Sequence, residues 1–150
     1  MDDIDLRILR ALQAQPDIPL AELAPAIGLS QTPCWRRLKK LEQQGVILGR
    51  AVLLDPAALG LAVNVFAYIK LTSHQEETLE ALERAVEEHP EIIECFLMSG
   101  DSDYMLRIVA QSIDTYERYL KRKLSHLPGV AAIRSSFAMK CVKDTRALPF

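Results

Sequence analysis

Cysteine is scarce in this chain and spaced for neither cross-links nor metal. Cys34, Cys95 and Cys141 are odd in number and far apart, and no CxxC pair occurs, so neither a disulfide framework nor a zinc site is expected. His74, His89 and His126 are equally scattered, which removes the usual nitrogen ligands of a metal centre. No nucleophile–base pair and no phosphate-binding loop can be found, so an enzyme is not expected and no cofactor is implied. No apolar run approaches the roughly 18 residues needed to span a bilayer. The opening MDDIDLRILRAL is acidic and lacks the basic-then-apolar order of a signal peptide, so a cytoplasmic protein without membrane attachment is expected. Excess positive charge is missing too: the net charge is −2, which argues against a surface coated overall with nucleic-acid-binding charge.

What is present is enough for a folded core and a local concentration of charge. The chain has 150 residues, 49% of them hydrophobic and 25% charged, which suits one ordinary domain or two small ones and disfavours disorder. Arg36, Arg37, Lys39 and Lys40 form a basic cluster, while Glu76, Glu77, Glu80, Glu83, Glu87, Glu88, Glu91 and Glu94 make the middle acidic. A chain neutral overall but basic in one helix can bind DNA through that helix.

The first third reads as three helices. Residues 3–14 carry Ile4, Ile8, Leu9 and Leu12 on one stripe, with Asp3 as the expected cap and Pro16 as the stop. A short helix from Pro19 to Ile27 follows, awkwardly containing Pro25, and Gly28 is its expected left-handed terminator. Ser30 is the expected N-cap of a third helix, residues 31–44, in which Pro33 is tolerable because it lies in the first turn. Gly45 ends it. Val46 to Leu54 is apolar and β-rich, with Gly49-Arg50 as a candidate tight turn, and Asp55-Pro56 breaks it. These signals predict a first domain over 1–54, a linker over 55–61 and a second domain over 62–150.

The second domain alternates. Strands are expected at 62–72, 92–99, 104–110 and 130–142, and helices at 76–88 and 113–124. Gly100-Asp101-Ser102-Asp103 and Pro128-Gly129 are turns. The order βαββαβ is the ferredoxin-like split motif, so the fold class is α+β.

Two helices joined across Gly28-Leu29-Ser30 have the sequence form of a helix-turn-helix. With residues set about 100° apart around the third helix, Cys34, Leu38 and Leu41 point into the core. Thr32, Arg36, Lys40 and Gln43 take the opposite face, with Arg37 and Lys39 on the flanks. Four cations in one helix, taken alone, make only a solvated face. The preceding short helix, the glycine turn and the N-cap point instead to the major groove, with Thr32 and Arg36 near base edges and the other cations on phosphates. Ser30 and the first amides of the helix suit a phosphate as well. Trp35, at the edge of the apolar stripe, reads as a packing residue, and Cys34 as a buried one.

The run LAPAIGLSQTPCWRRLKKLEQQGVI resembles the winged helix-turn-helix of the Lrp/AsnC family, the leucine-responsive or feast/famine regulators. GDSDYMLRI and LPGV, followed by SSFAMKCVKDTRALP, resemble that family's second domain. TPCW before paired basic residues, LLDP and the SSFAM ending resemble most closely its cysteine-responsive, DecR-type subgroup. The resemblance implies a transcription regulator of amino-acid metabolism: a dimer that assembles further, often to octamers, binds double-stranded DNA and responds to a small amino acid, cysteine first. Ser30, Thr32, Arg37 and Lys40 match the family's recognition-helix pattern and, with Gln31, Arg36 and Lys39 of the same helix, make the expected DNA-binding set; Lys143 matches the lysine before the family's C-terminal tail. Some proteins resembling this family decarboxylate a haem precursor, but the scattered histidines here do not suit a macrocycle.

Gly100, Asp101, Asp103 and Tyr104 match the family's effector-domain turn, and Met98, Ser99, Ser135 and Ser136 complete the expected effector set. Gly100 would let a ligand carboxylate reach backbone amides, Asp101 and Asp103 would pair with its ammonium, and Tyr104 would offer a wall and a hydroxyl. Neighbouring chains could bring the hydroxyls of Ser135 and Ser136 to the turn. A hairpin turn using glycine and aspartate for geometry alone is the competing reading. The first strand argues for self-association: Val63, Val65, Ala67, Ile69 and Leu71 share one face, and Phe66 and Tyr68 lie on the other. Helices can cover only one face, so a twofold dimer through the sheet is expected.

Overall fold

The computed structural model describes residues 1–150, which divide into two compact units: 1–53 together with 144–150, and 54–143. The first contains three helices, α1 (Asp3–Ala14), α2 (Leu20–Ala26) and α3 (Gln31–Gln43). Its core is Ile8, Leu23, Ala24, Ile27, Cys34 and Leu41, all buried, with Leu12 and Leu38 packed against them. The apolar stripes therefore face one another as the helical period requires.

The cap of α1 is Asp2 rather than Asp3. Asp2 accepts the Asp5 N–H at 3.0 Å while Asp5 accepts the Asp2 N–H at 3.1 Å, a reciprocal box that only the pair three residues apart can close. Pro25 stays inside α2 on its solvent side. Beyond it Gly28 takes φ +78°, and the Leu29 N–H reaches the Ala24 carbonyl at 2.9 Å, the closing bond of a left-handed helix end. Ser30 is the N-cap of α3, yet its side chain makes no capping bond. At the other end of α3, the Gly45 N–H donates to Glu42 and the Val46 N–H to Leu41, so the helix stops where the glycine predicts.

Residues 46–55 form no strand ladder. A lone two-stranded hairpin is marginal in water, and here Leu48 and Val52 are 95% and 83% exposed, with no apolar layer to hold a wing in register. Residues 144–150, expected with the second domain, lie with the first unit instead. Gln13 reads both sides of the Leu148 backbone, accepting its N–H at 2.6 Å and donating to its carbonyl at 3.2 Å, and Arg10 donates to the Phe150 carbonyl.

The second unit is a four-stranded antiparallel sheet under two helices. Its elements are β1 (Val63–Leu71), α4 (Glu76–Glu87), β2 (Ile92–Leu97), β3 (Tyr104–Ala110), α5 (Ile113–Arg122), a short 3₁₀ turn Leu124–His126, and β4 (Val130–Phe137). The strand order β2-β3-β1-β4 is that of the split βαββαβ motif. β4 is shorter than expected because β1 begins at Val63. Val65 pairs with Phe137, and little of β1 remains beyond it to pair with later residues. Val65, Ala67 and Ile69 on β1 and Leu106 and Ile108 on β3 are completely buried against Leu82, Tyr116 and Leu124. No helix of the chain is long and apolar enough to cross a membrane.

Candidate nucleic-acid interface and effector turn

α3 presents two chemistries. Cys34 and Leu41 are buried, whereas Gln31, Thr32, Arg36, Lys39 and Lys40 are exposed, as is Ser30 just before them. Arg36 and Lys40 make no hydrogen bond or ion pair within the chain, so their charges are available to an anionic partner. Arg37 differs. Its guanidinium lies 2.8 Å from both Asp2 and Asp5, so it ties α3 to the start of α1. Asp5 is the one buried charged residue in the chain, which explains why an arginine reaches it. The bond from the Asp5 N–H, and then Arg37, hold the Asp2 carboxyl below its ordinary value. Burial would raise Asp5, but the Asp2 N–H and Arg37 outweigh it, so Asp5 is lowered as well. Lys39 is partly committed, to Glu42 at 2.6 Å.

Trp35 is not a core residue. It is 50% exposed, and the ~100° step between successive residues sets it on the flank shared with Lys39. Its position beside an apolar stripe concealed this in the sequence; a finer angular reading would have placed it outside the stripe.

The turn between β2 and β3 is closed by the Met98 N–H on the Asp103 carbonyl at 2.8 Å, and anchored to β1 by the Asp103 N–H on the Ile69 carbonyl at 2.8 Å. Met98, Ser99, Gly100 and Asp101 are exposed, and the space where a Gly100 side chain would lie is open. Asp101 makes no hydrogen bond or ion pair.

Asp103 and Tyr104 take roles other than those expected of them. Asp103 accepts the Leu71 N–H at 2.7 Å with one oxygen and meets His74 Nε2 at 2.8 Å with the other, so both oxygens are engaged within the chain. The Leu71 N–H first, and His74 second, hold its carboxyl below the ordinary range. Tyr104 is buried in the core and donates its hydroxyl to Glu83 at 2.6 Å; burial first, then Glu83, raise its pKa far above normal. It packs under α4 rather than forming an exposed wall.

Ser135 and Ser136 point to opposite faces of β4, as the pleat dictates. Ser135 pairs with Ala67 on the helix side and shares a hydrogen bond with the Tyr116 hydroxyl, while Ser136 pairs with Phe66 on the open side. Within one chain neither comes to the Gly100 turn, which lies beyond the Ile69–Tyr104 end of the β1–β3 ladder.

The open side of the sheet is apolar at its centre. Phe66, Tyr68, Met105 and Val109 are half-buried there and Phe96 is 49% exposed. Arg107 crosses the same face, donating to Asn64 at 3.2 Å and to Glu94 at 3.1 Å, and Arg134 stacks over Tyr68 at 4.9 Å.

A helix-turn-helix with uncompensated cations, followed by a second α+β unit, defines a two-domain DNA-binding regulator. Comparison with known proteins agrees. Residues 1–47 match the family described as winged helix-turn-helix DNA-binding, and residues 64–148 match the Lrp/AsnC ligand binding domain. The chain belongs to the Lrp/AsnC family and is a transcriptional regulator of that kind. It is 38% identical over 149 residues to the DNA-binding transcriptional activator DecR of Escherichia coli K12, covering 99% of this chain and 98% of that protein. It superposes on the crystal structure of an AsnC family transcriptional regulator from Agrobacterium tumefaciens with TM-score 0.91 and 43% identity, covering 99% and 97% of the two chains. A Neisseria meningitidis transcriptional regulator in complex with L-Met superposes with TM-score 0.92 and 31% identity, covering 99% and 96%.

Proposed function

We propose that this regulator acts as a homodimer, assembling further to an octamer, that reads operator DNA with α3 and is modulated by a small amino acid bound beside the Gly100 turn. The observation that carries the DNA reading is the split within α3: Arg36 and Lys40 are exposed and unpaired, while Arg37 is spent on Asp2 and Asp5. Thr32 and Arg36 contact base edges, Lys40 and the flanking Lys39 contact phosphates, and Ser30, Gln31 and the first amides of α3 hold a further phosphate. Trp35 adds an apolar contact on the Lys39 side. Two copies are needed because half-sites lie whole helical turns apart. The open sheet face, with Phe66, Tyr68, Met105 and Phe96, supplies a self-complementary surface for that pairing.

The effector's carboxylate meets the backbone amides around Ser99, Gly100 and Asp101, and its ammonium meets the unengaged Asp101 carboxylate. Met98 supports an apolar side chain, and Ser136 on the open face is available to a neighbouring copy. The Neisseria relative solved with L-Met supports an amino-acid ligand, and the likeness to DecR supports cysteine as the first to try. The site of action is the cytoplasm, and the regulated genes are those of amino-acid metabolism. The test is operator affinity, at one stated salt concentration, with and without each of the twenty amino acids, L-cysteine, L-methionine and L-leucine first. A shift with one of them supports the reading; identical affinity with all twenty amino acids removes the sensor from it.

A further inference from the structure

His74 is an exposed residue in the loop between β1 and α4, and composition alone gives it no role. Its surroundings do. Asp103 stands at the root of the effector turn, and its side chain continues the β1–β3 ladder one step past the last paired residues, Ile69 and Tyr104. One carboxylate oxygen takes the Leu71 N–H, which no strand partner on that side reaches. The other is held by His74 Nε2 at 2.8 Å. The Asp103 main chain donates to Ile69 and accepts from Met98. Four bonds thus converge on one residue, and three of the partners belong to β1 or the loop after it. The β1 end is itself fixed: the Thr72 N–H donates to the Gly129 carbonyl at 2.8 Å. A turn whose tip is exposed and glycine-bearing is therefore rooted in a rigid strand end through one residue, by its main chain and its carboxylate together. His74 is 71% exposed, while the Asp103 side chain it holds is 13% exposed, so the bond is shielded mainly on the aspartate side.

We propose that His74 is a positioning residue for the effector turn, acting through Asp103; this rests on the reading that an amino acid binds beside Gly100. With His74 in place, the Asp103 carboxylate is locked in the orientation that serves Leu71, and the Met98–Asp103 closure presents the Ser99–Asp101 amides in one geometry. Without it, the carboxylate is free to rotate away from Leu71, and the turn is held to β1 by the Asp103 main chain alone. The ligand itself never touches His74. A binding site supported by a locked second layer loses affinity when that layer loosens, even though every contact residue remains.

The experiment compares wild type, His74→Ala and His74→Gln, the glutamine retaining an N–H donor at similar reach. Hydrogen-exchange mass spectrometry follows peptides covering residues 69–74 and 97–104, and calorimetry measures binding of each of the twenty amino acids, L-cysteine, L-methionine and L-leucine first. We expect His74→Ala to exchange faster in both peptides and to bind the effector about ten-fold more weakly, the loss of one charge-assisted hydrogen bond. His74→Gln should restore most of both. Unchanged exchange in His74→Ala, or faster exchange with wild-type affinity, overturns the role of His74 while leaving the effector site standing. Wild-type protein that binds none of the twenty amino acids refutes the effector reading, and the positioning role with it.

Discussion

Replacing Gly129 with alanine tests how the sheet end beside the effector turn is built. Gly129 has φ +70°, and its carbonyl accepts both the Thr72 N–H and the Thr72 hydroxyl. An added Cβ would fall well inside van der Waals contact with Thr78 Cγ2, on the first turn of α4. Two penalties follow. The left-handed backbone costs an L-residue about 1–2 kcal/mol. Relieving the clash requires an off-rotamer threonine or a backbone shift, for about 1–3 kcal/mol more. Gly129→Ala should therefore destabilise the second unit by about 2–5 kcal/mol, and each kcal/mol lowers the thermal midpoint of a domain this size by roughly 4–8 °C. Thr78→Ser removes the clashing methyl. The double variant should recover the steric part and keep the backbone part, a coupling of about 1 kcal/mol or more in a double-mutant cycle followed by urea denaturation. Gly28→Ala is the control: its φ is +78° but nothing lies near the new Cβ, so only the backbone penalty applies. A Gly129→Ala protein within about 0.5 kcal/mol of wild type, below the backbone penalty alone, or a cycle with no coupling, would refute the packing argument.

The adjacent arginines of α3 should behave oppositely. Arg36→Ala is expected to weaken operator binding about ten- to hundred-fold with the melting temperature unchanged, whereas Arg37→Ala should lower the melting temperature and leave affinity largely intact, because its partners are Asp2 and Asp5; gel-shift titration beside thermal melts separates them. Lys40→Ala should weaken all sequences alike and reduce the salt slope by about one. Phe66→Asp should yield a folded monomer in sedimentation velocity, since Phe66 faces the open side, while Val65→Asp, fully buried against the helices, should abolish folding; a Phe66→Asp dimer contradicts pairing through this face. Acid should loosen the first unit: Asp2 and Asp5 titrate lower folded than unfolded, so their stabilisation is complete above the ordinary carboxylate range, about pH 4, and is lost as pH falls through the folded values. Arg37→Ala should flatten that acid limb in pH-dependent melts.

What the chain alone decided was everything governed by local period and local stereochemistry. The spacing of Ile8, Leu23, Cys34 and Leu41 names the faces of three helices. Gly28 and Gly45 mark their ends because only a residue without a Cβ adopts that backbone at little cost. The alternation through Val65, Ala67 and Ile69 states which side of β1 is inside. The basic cluster on α3 was equally visible, since charge and angular position are both properties of one helix. The partners of each side chain were not. Arg36 and Arg37 are neighbours of the same type, and only the packing of α3 beside α1 brings Asp2 and Asp5 to one and leaves the other open. Asp103 and Tyr104 look like ligand groups in a line of text, and the sheet register turns them into a ladder cap and a core residue. His74 carried no signal at all, because its meaning depends on a carboxylate 29 residues away. Contacts across such separations depend on how elements stack, and no periodicity within any one element encodes them.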